Sequence, residues 1–280
     1  MARRISFWKM HGLGNDYIVI DNRGKELNEE ELPNLAVKLC ERRFGIGADG
    51  LMLVYPSQKA DVKMRIFNPD GSEAEMCGNG IRCLAKYCFE TGLTRKTSLL
   101  VETLAGVKTL DLKVENDVVK SVRVNMGSPS FEAEEIPIKW NGAFIDKPIH
   151  AGETTVKATA LSMGNPHCVI FVEDVEKYPV KAVGPLLENY ELFPKRTNVE
   201  FVQVISRDKL KVRVWERGAG ETMACGTGAC ASVVAAKVLG KVDKIVTVKL
   251  PGGELTAEYR YGVIFMEGPA EKVFEGVINL

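Results

Sequence analysis

Several things are missing from this chain of 280 residues, and each absence narrows what it can do. It has no excess of either charge: 37 lysines and arginines stand against 37 acidic residues, a formal net charge of zero. No run of five basic residues occurs, and with that balance nucleic-acid binding through a dominant positive field loses most of its support. Histidine is scarce, with only His11, His150 and His167. Their spacing has no i, i+4 pattern, and no metal site is expected. Seven cysteines are an odd number with no C-x-x-C pair. That speaks against a disulfide framework, a zinc ribbon or a dithiol redox motif. No uncharged apolar run approaches the ~18 residues of a membrane span, and the opening MARRISFWKMHG lacks a signal-peptide core. A P-loop and a dinucleotide fingerprint are also missing, since the glycine-rich stretch Phe44 to Gly50 has neither the spacing nor the preceding strand. The expectation is a cytoplasmic, soluble protein with free thiols, no nucleic-acid or membrane partner and no nucleotide cofactor.

What is present is ordinary globular material, 45% hydrophobic and 26% charged, arranged mostly as strands. Runs such as Tyr17 to Ile20, Gly50 to Val54, Lys63 to Phe67, Cys168 to Val172 and Lys211 to Trp215 are β-branched or alternating, and turn residues bound them. Helical spacing is clearest over 28–43, 81–90, 180–189 and 229–239. The last is apolar nearly all round and so belongs inside something. This predicts an α+β fold in which a curved, mostly antiparallel sheet wraps a central apolar helix.

The chain also repeats itself. Gly14-Asn15-Asp16-Tyr17 returns as Gly164-Asn165-Pro166-His167, Lys63 to Phe67 returns as Lys211 to Trp215, and Met76-Cys77-Gly78-Asn79-Gly80 returns as Ala224-Cys225-Gly226-Thr227-Gly228. Three blocks in one order at nearly one offset imply two pseudo-symmetric halves. The expected halves are 1–124, completed by a strand drawn from 270–280, and 125–269, with the exchange near Asn125 to Pro129.

Each half presents Cys-Gly-x-Gly directly before a helix. Glycine lets the backbone turn sharply and approach a ligand. The helix N-terminus offers N–H groups and positive dipole charge to an anion, and the same field favours a thiolate. A lone cysteine would be read as packing, as Cys40, Cys83, Cys88, Cys168 and Cys230 are here. A duplicated one suggests two like acid/base groups, which a reaction that inverts a stereocentre needs because its reverse swaps their roles. A cofactor-free racemase or epimerase follows, with Cys77 and Cys225 as the pair. A thiol redox protein or a carboxylate-binding module is the competing reading; the missing resolving cysteine disfavours the first, and the duplicated cysteine the second.

With these blocks, together with His11 to Asp16, Phe67 to Ser72, Arg196 to Glu200 and Glu216-Arg217-Gly218, the chain resembles the diaminopimelate epimerase family over nearly its whole length. The resemblance implies interconversion of LL- and meso-2,6-diaminopimelate without pyridoxal phosphate, in lysine and peptidoglycan-precursor synthesis. It implies Cys77 and Cys225 as acid/base pair, and Asn15, Asn68, Asn165, Asn198, Glu216 and Arg217 as substrate holders. Gly78, Asn79, Gly226 and Thr227 would take the reacting carboxylate, and His167 and Glu216 would tune the thiols. A homodimer is implied as well. Two departures stand out: Gly50 follows Asp49 where many members carry Gln, and Thr227 replaces a common Ser while keeping its hydroxyl. Proline-type racemases resemble the same pattern, but Glu216-Arg217 and the asparagines suit a longer, doubly charged amino acid.

Overall fold

The computed structural model describes residues 3–152 and 154–280. They form two compact units, one running up to Val124 and taking in Glu267–Leu280, the other Asn125–Met266. The first contains β1 (Arg4–Gly12), β2 (Asn15–Asp21), α1 (Leu32–Cys40), β3 (Gly50–Tyr55), β4 (Val62–Phe67) and β5 (Glu73–Ala74). It continues through α2 (Gly78–Glu90), β6 (Ser98–Thr103), β7 (Gly106–Glu115) and β8 (Val118–Gly127). The second contains β9 (Lys147–Ala151), β10 (Thr154–Ser162), β11 (Pro166–Phe171), α3 (Val180–Glu188), β12 (Asn198–Ser206) and β13 (Lys209–Glu216). It continues through β14 (Gly220–Thr222), α4 (Gly226–Val238), β15 (Ile245–Leu250), β16 (Gly253–Arg260) and β17 (Val263–Gly268). The last strand, β18 (Glu271–Asn279), pairs with β1 in the first unit.

Both units follow one pairing plan. In the first, β18 runs antiparallel to β1, β1 to β2 and β3 to β4, while β2–β3 and β4–β6 are parallel. In the second, β9 runs antiparallel to β10, β10 to β11 and β12 to β13, while β11–β12 and β13–β15 are parallel. Each parallel pair is joined by a crossover that carries a helix, as parallel strands require. The strand in the β9 position of the first unit is β18, from the far end of the chain.

The inner strands are buried on both sides, and their alternation decides what each helix meets. Leu51, Leu53 and Tyr55 of β3 pack with Leu32, Leu35, Ala36 and Leu39 of α1. Met52, between them, faces α2, where a Cβ on Gly80 would lie 2.7 Å from its Cε. In β12, Val199 and Phe201 pack with Val180, Val183 and Leu187 of α3. Glu200 turns instead to α4, where a Cβ on Gly228 would lie 2.8 Å from its Oε1.

The helix α4 is buried all round from Gly228 to Ala236, as its composition predicts. The helix α2 is equally buried but holds two cations, both fully engaged. Arg82 donates to Gly78 O, Asn79 Oδ1 and Pro269 O, and Lys86 pairs with Glu90 and Val119 O. The periodicity over 28–43 resolves into a short 3-10 turn, Glu29–Glu31, followed by α1, which stops at Cys40. There the chain folds back, with the N–H groups of Ile46 and Gly47 both on Leu39 O at 2.9 Å. Gly45 permits this, since a Cβ at that position would lie 2.4 Å from Lys38 O. No helix of the described residues is long and apolar enough to cross a membrane.

Candidate active site

In both units the cysteine is the N-cap of the buried helix. Cys77 has extended backbone (φ −136°, ψ 123°) before α2, and Cys225 has nearly the same (φ −119°, ψ 113°) before α4. The first intrahelical bonds run from Ile81 N–H to Cys77 O and from Ala229 N–H to Cys225 O, each at 2.9 Å. The N–H groups of Gly78, Asn79 and Gly80, and of Gly226, Thr227 and Gly228, therefore stand ahead of the helical ladder, at the positive end of the dipole. Gly228 N–H reaches Cys225 Sγ at 3.3 Å.

Around Cys77, the Tyr17 hydroxyl lies 2.8 Å from Sγ and 2.6 Å from Asn15 Oδ1. Asn79 Nδ2 also donates to Asn15 Oδ1, at 3.3 Å, and Arg82 holds Asn79 Oδ1 at 3.1 Å. Asn15 Nδ2 donates to Asp49 Oδ2 at 2.9 Å, which sets the amide so that its oxygen faces the thiol. Asp16, beside this network, feels burial raising its pKa; Arg42 and Lys9 outweigh that and hold the carboxyl at about 2. Asn15, Cys77, Gly78 and Asn79 are thus gathered. Asn68 is occupied in its own turn, donating to Ser72 Oγ at 3.0 Å.

Around Cys225 the same positions carry different chemistry. Thr227 Oγ1 lies 3.5 Å from Sγ and 3.4 Å from Asn165 Nδ2. His167 Nε2 meets Asn165 Oδ1 at 2.9 Å, so that nitrogen carries the proton. Its Nδ1 lies 2.6 Å from Glu200 Oε1, in a pair that is fully buried. The ring bonds Asn165 and Glu200 rather than a sulfur. Burial, then the carboxylates of Glu216 and Glu200, push the Cys225 thiol well above its ordinary value. Glu216 Oε1 accepts from Thr222 Oγ1 at 2.5 Å. Asn198 reaches Pro166 O at 2.8 Å and accepts the Arg217 N–H at 2.9 Å, while the exposed Arg217 guanidinium meets Lys195 O at 3.3 Å.

Two neighbours of the thiols carry no role in the sequence reading, Tyr17 and Glu200. Each left a signal in the sequence, though not its place beside a thiol. Tyr17 is the repeat partner of His167, and Glu200 is a lone carboxyl in the otherwise apolar run Val199 to Val202. Among the described residues no group of three His, Cys, Asp or Glu could hold a metal ion.

The fold is one that isomerases share with PhzF proteins. A Bacillus anthracis phenazine biosynthesis protein of the PhzF family superposes with a TM-score of 0.74 at 20% identity, covering 99% of this chain and 100% of that one. An Agrobacterium vitis hydroxyproline epimerase, solved with trans-4-hydroxy-L-proline, also gives 0.74, at 14% identity over 99% of this chain and 93% of its own. Sequence then narrows the class. The family model for diaminopimelate epimerase matches residues 7–132 and 159–273. The diaminopimelate epimerase of Pelotomaculum thermopropionicum is 55% identical over 96% of this chain and 97% of its own. That of Methanococcus maripaludis is 50% identical over 99% and 100%. The chain belongs to the diaminopimelate epimerase family.

Proposed function

We propose that the chain interconverts LL- and meso-2,6-diaminopimelate without a cofactor, with Cys77 and Cys225 as the two acid/base groups. One observation carries this: a cysteine caps the buried helix of each repeat unit, in a chain half-identical along its length to proteins named diaminopimelate epimerase. As a thiolate, one sulfur takes the α-proton; the C–H bond breaks, an S–H bond forms and the electron pair passes into the substrate's carboxylate. The other sulfur, as a thiol, delivers its proton to the opposite face. Turnover leaves the two protonation states exchanged, so the groups must be alike. Negative charge growing on the carboxylate is met by N–H groups fixed at a helix N-terminus, which need no reorganisation. The raised pKa of Cys225 suits it to the thiol role when the site is empty.

For the substrate's far end, Arg217 is the planar cation suited to a second carboxylate. Its backbone is held by Asn198, and its guanidinium by a single carbonyl contact. Asn68 and Asn165 complete the binding set together with Glu216. The enzyme would serve lysine and peptidoglycan-precursor synthesis in the cytoplasm. A homodimer is part of the proposal: β18 exposes Val273, Phe274 and Val277, apolar surface that a second copy could cover. Sedimentation at micromolar concentration tests that part, and a monomer would refute it. For the activity, LL-diaminopimelate and L-proline are each incubated with the purified protein in deuterated water, without added cofactor. Exchange at the α-carbon of diaminopimelate alone is expected. Exchange with proline alone would overturn the substrate assignment.

A further inference from the structure

We infer that Tyr17 is a further catalytic residue, a hydroxyl rotor that donates to Cys77 Sγ when the sulfur is a thiolate and turns to Asn15 Oδ1 when it is a thiol. The inference rests on the reading of Cys77 as an acid/base group. The Tyr17 oxygen is 2.8 Å from Sγ and 2.6 Å from Asn15 Oδ1. A phenol has one proton for these two neighbours. The amide cannot reverse at no cost, because Asn15 Nδ2 donates to Asp49 Oδ2 at 2.9 Å. Asp49 is itself held by Asp16 N–H at 3.0 Å and Arg42 at 2.6 Å. Asn15 Oδ1 is therefore a permanent acceptor. Burial, and then the negative charge that Cys77 can carry, push the Tyr17 hydroxyl well above its ordinary pKa, so it stays protonated and remains a donor.

The site is built to hold this ring. Tyr17 lies opposite Gly50 in the β2–β3 register, and a Cβ on Gly50 would sit 3.2 Å from the ring's Cε1. A Cβ on Gly80 would sit 3.3 Å from its Cζ. The space beside Gly50 is thus filled from across the strand by Tyr17, whose hydroxyl supplies a polar group beside the thiol. The second unit places His167 at the equivalent point, also on its asparagine oxygen at 2.9 Å, with Glu200 behind it. Behind Tyr17 the equivalent position holds Met52, which is uncharged, so the first unit's proton donor is neutral throughout.

In the reaction the substrate Cα–H bond breaks, the Cys77 S–H bond forms and the electron pair stays with the substrate. The phenolic O–H bond never breaks. It swings from sulfur to Asn15 Oδ1, and the new S–H can donate to the phenol oxygen; the reverse half-reaction swings it back.

The test uses the full-length protein with Tyr17→Phe and measures iodoacetamide alkylation of Cys77 against pH by peptide mapping. Cys77 is half-buried where the other six cysteines are buried, and peptide mapping reads its rate separately. Loss of a hydrogen bond to a charged group should raise the midpoint by about one pH unit and lower kcat roughly tenfold, with KM little changed. A folded Tyr17→Phe protein with the wild-type midpoint and kcat would overturn the inference. Should that variant not fold, 3-fluorotyrosine at position 17, a stronger donor of nearly the same shape, should lower the midpoint, and an unmoved midpoint would equally refute it. Alkylation reads the rotor whether or not diaminopimelate is the substrate, so failure of the substrate assignment and failure of the rotor give different results.

Discussion

Gly228→Ala separates the site's geometry from ordinary helix stability. In an exposed helix this change would gain about 1 kcal/mol from propensity. Here the new Cβ would fall 2.8 Å from Glu200 Oε1 and 3.3 Å from Cys225 Sγ. Neither neighbour can retreat freely: Glu200 is fully buried and pinned to His167 at 2.6 Å, and Cys225 is the cap of the same helix. Overpacking of this kind costs about 1–3 kcal/mol. A loss near the upper end of that range outweighs the propensity gain by about 1–2 kcal/mol, which in a protein of this size lowers Tm by roughly 2–6 °C. The repeat supplies an internal comparison for stability in Gly80→Ala, whose Cβ would meet the flexible Met52 Cε at 2.7 Å and, beyond it, only Ile66 Cδ1 and the Tyr17 ring at 3.3 Å. A methionine methyl moves aside readily, so that variant should melt within about 2 °C of wild type. Calorimetry on both, with kcat for LL-diaminopimelate, makes the comparison. A Gly228→Ala protein as stable as Gly80→Ala, and with the wild-type kcat, would show that Glu200 and the Cys225 sulfur are not held rigidly against Gly228.

Two further outcomes follow from the second unit. Arg217→Lys keeps the charge but loses the planar fork, and should lower kcat/KM at least roughly tenfold, about 1.4 kcal/mol, mainly through KM; unchanged kinetics would make Arg217 a surface residue. Glu200→Gln removes a carboxylate that helps raise the Cys225 thiol, so alkylation of Cys225 should titrate at lower pH in the variant, and an upward shift would contradict this. Burial raises the Glu200 pKa itself, so the wild type loses stability as pH rises through that value and the glutamine protein does not. The Tm of Glu200→Gln relative to wild type should therefore rise as the pH is raised above the ordinary glutamate range.

The α+β fold and the repeat were legible because both are written in local terms: alternation, an all-apolar helix over 229–239, and three blocks that recur in order. Cys77 and Cys225 were readable as a pair for the same reason, since each block carries its own glycines and helix start. The register of parallel strands was not readable. Nothing local to Tyr17 says that Gly50 lies opposite it, or that the space so left carries its hydroxyl to a sulfur sixty residues away. Glu200 was obscured similarly, because a single carboxyl in a strand acquires meaning only when its face is known to meet α4. The end of α1 was misjudged because the fold-back after Cys40 depends on carbonyls of Lys38 and Leu39 meeting Gly45 to Gly47, a contact that helical periodicity does not register.

Two-thiol inversion is tested most directly by following single turnovers of unlabelled LL-diaminopimelate in deuterated water and reading the α-carbon label in product and in recovered substrate. A thiolate that takes the proton becomes a monoprotic thiol, and the opposite thiol, already exchanged with solvent, supplies the incoming atom. Every molecule of meso product should then carry one deuterium, while the LL-substrate recovered early in the reaction stays unlabelled. Protium returned to the product, or deuterium in the early LL-substrate, would mean that a single base serves both faces, and would contradict the assignment of Cys77 and Cys225 as separate partners.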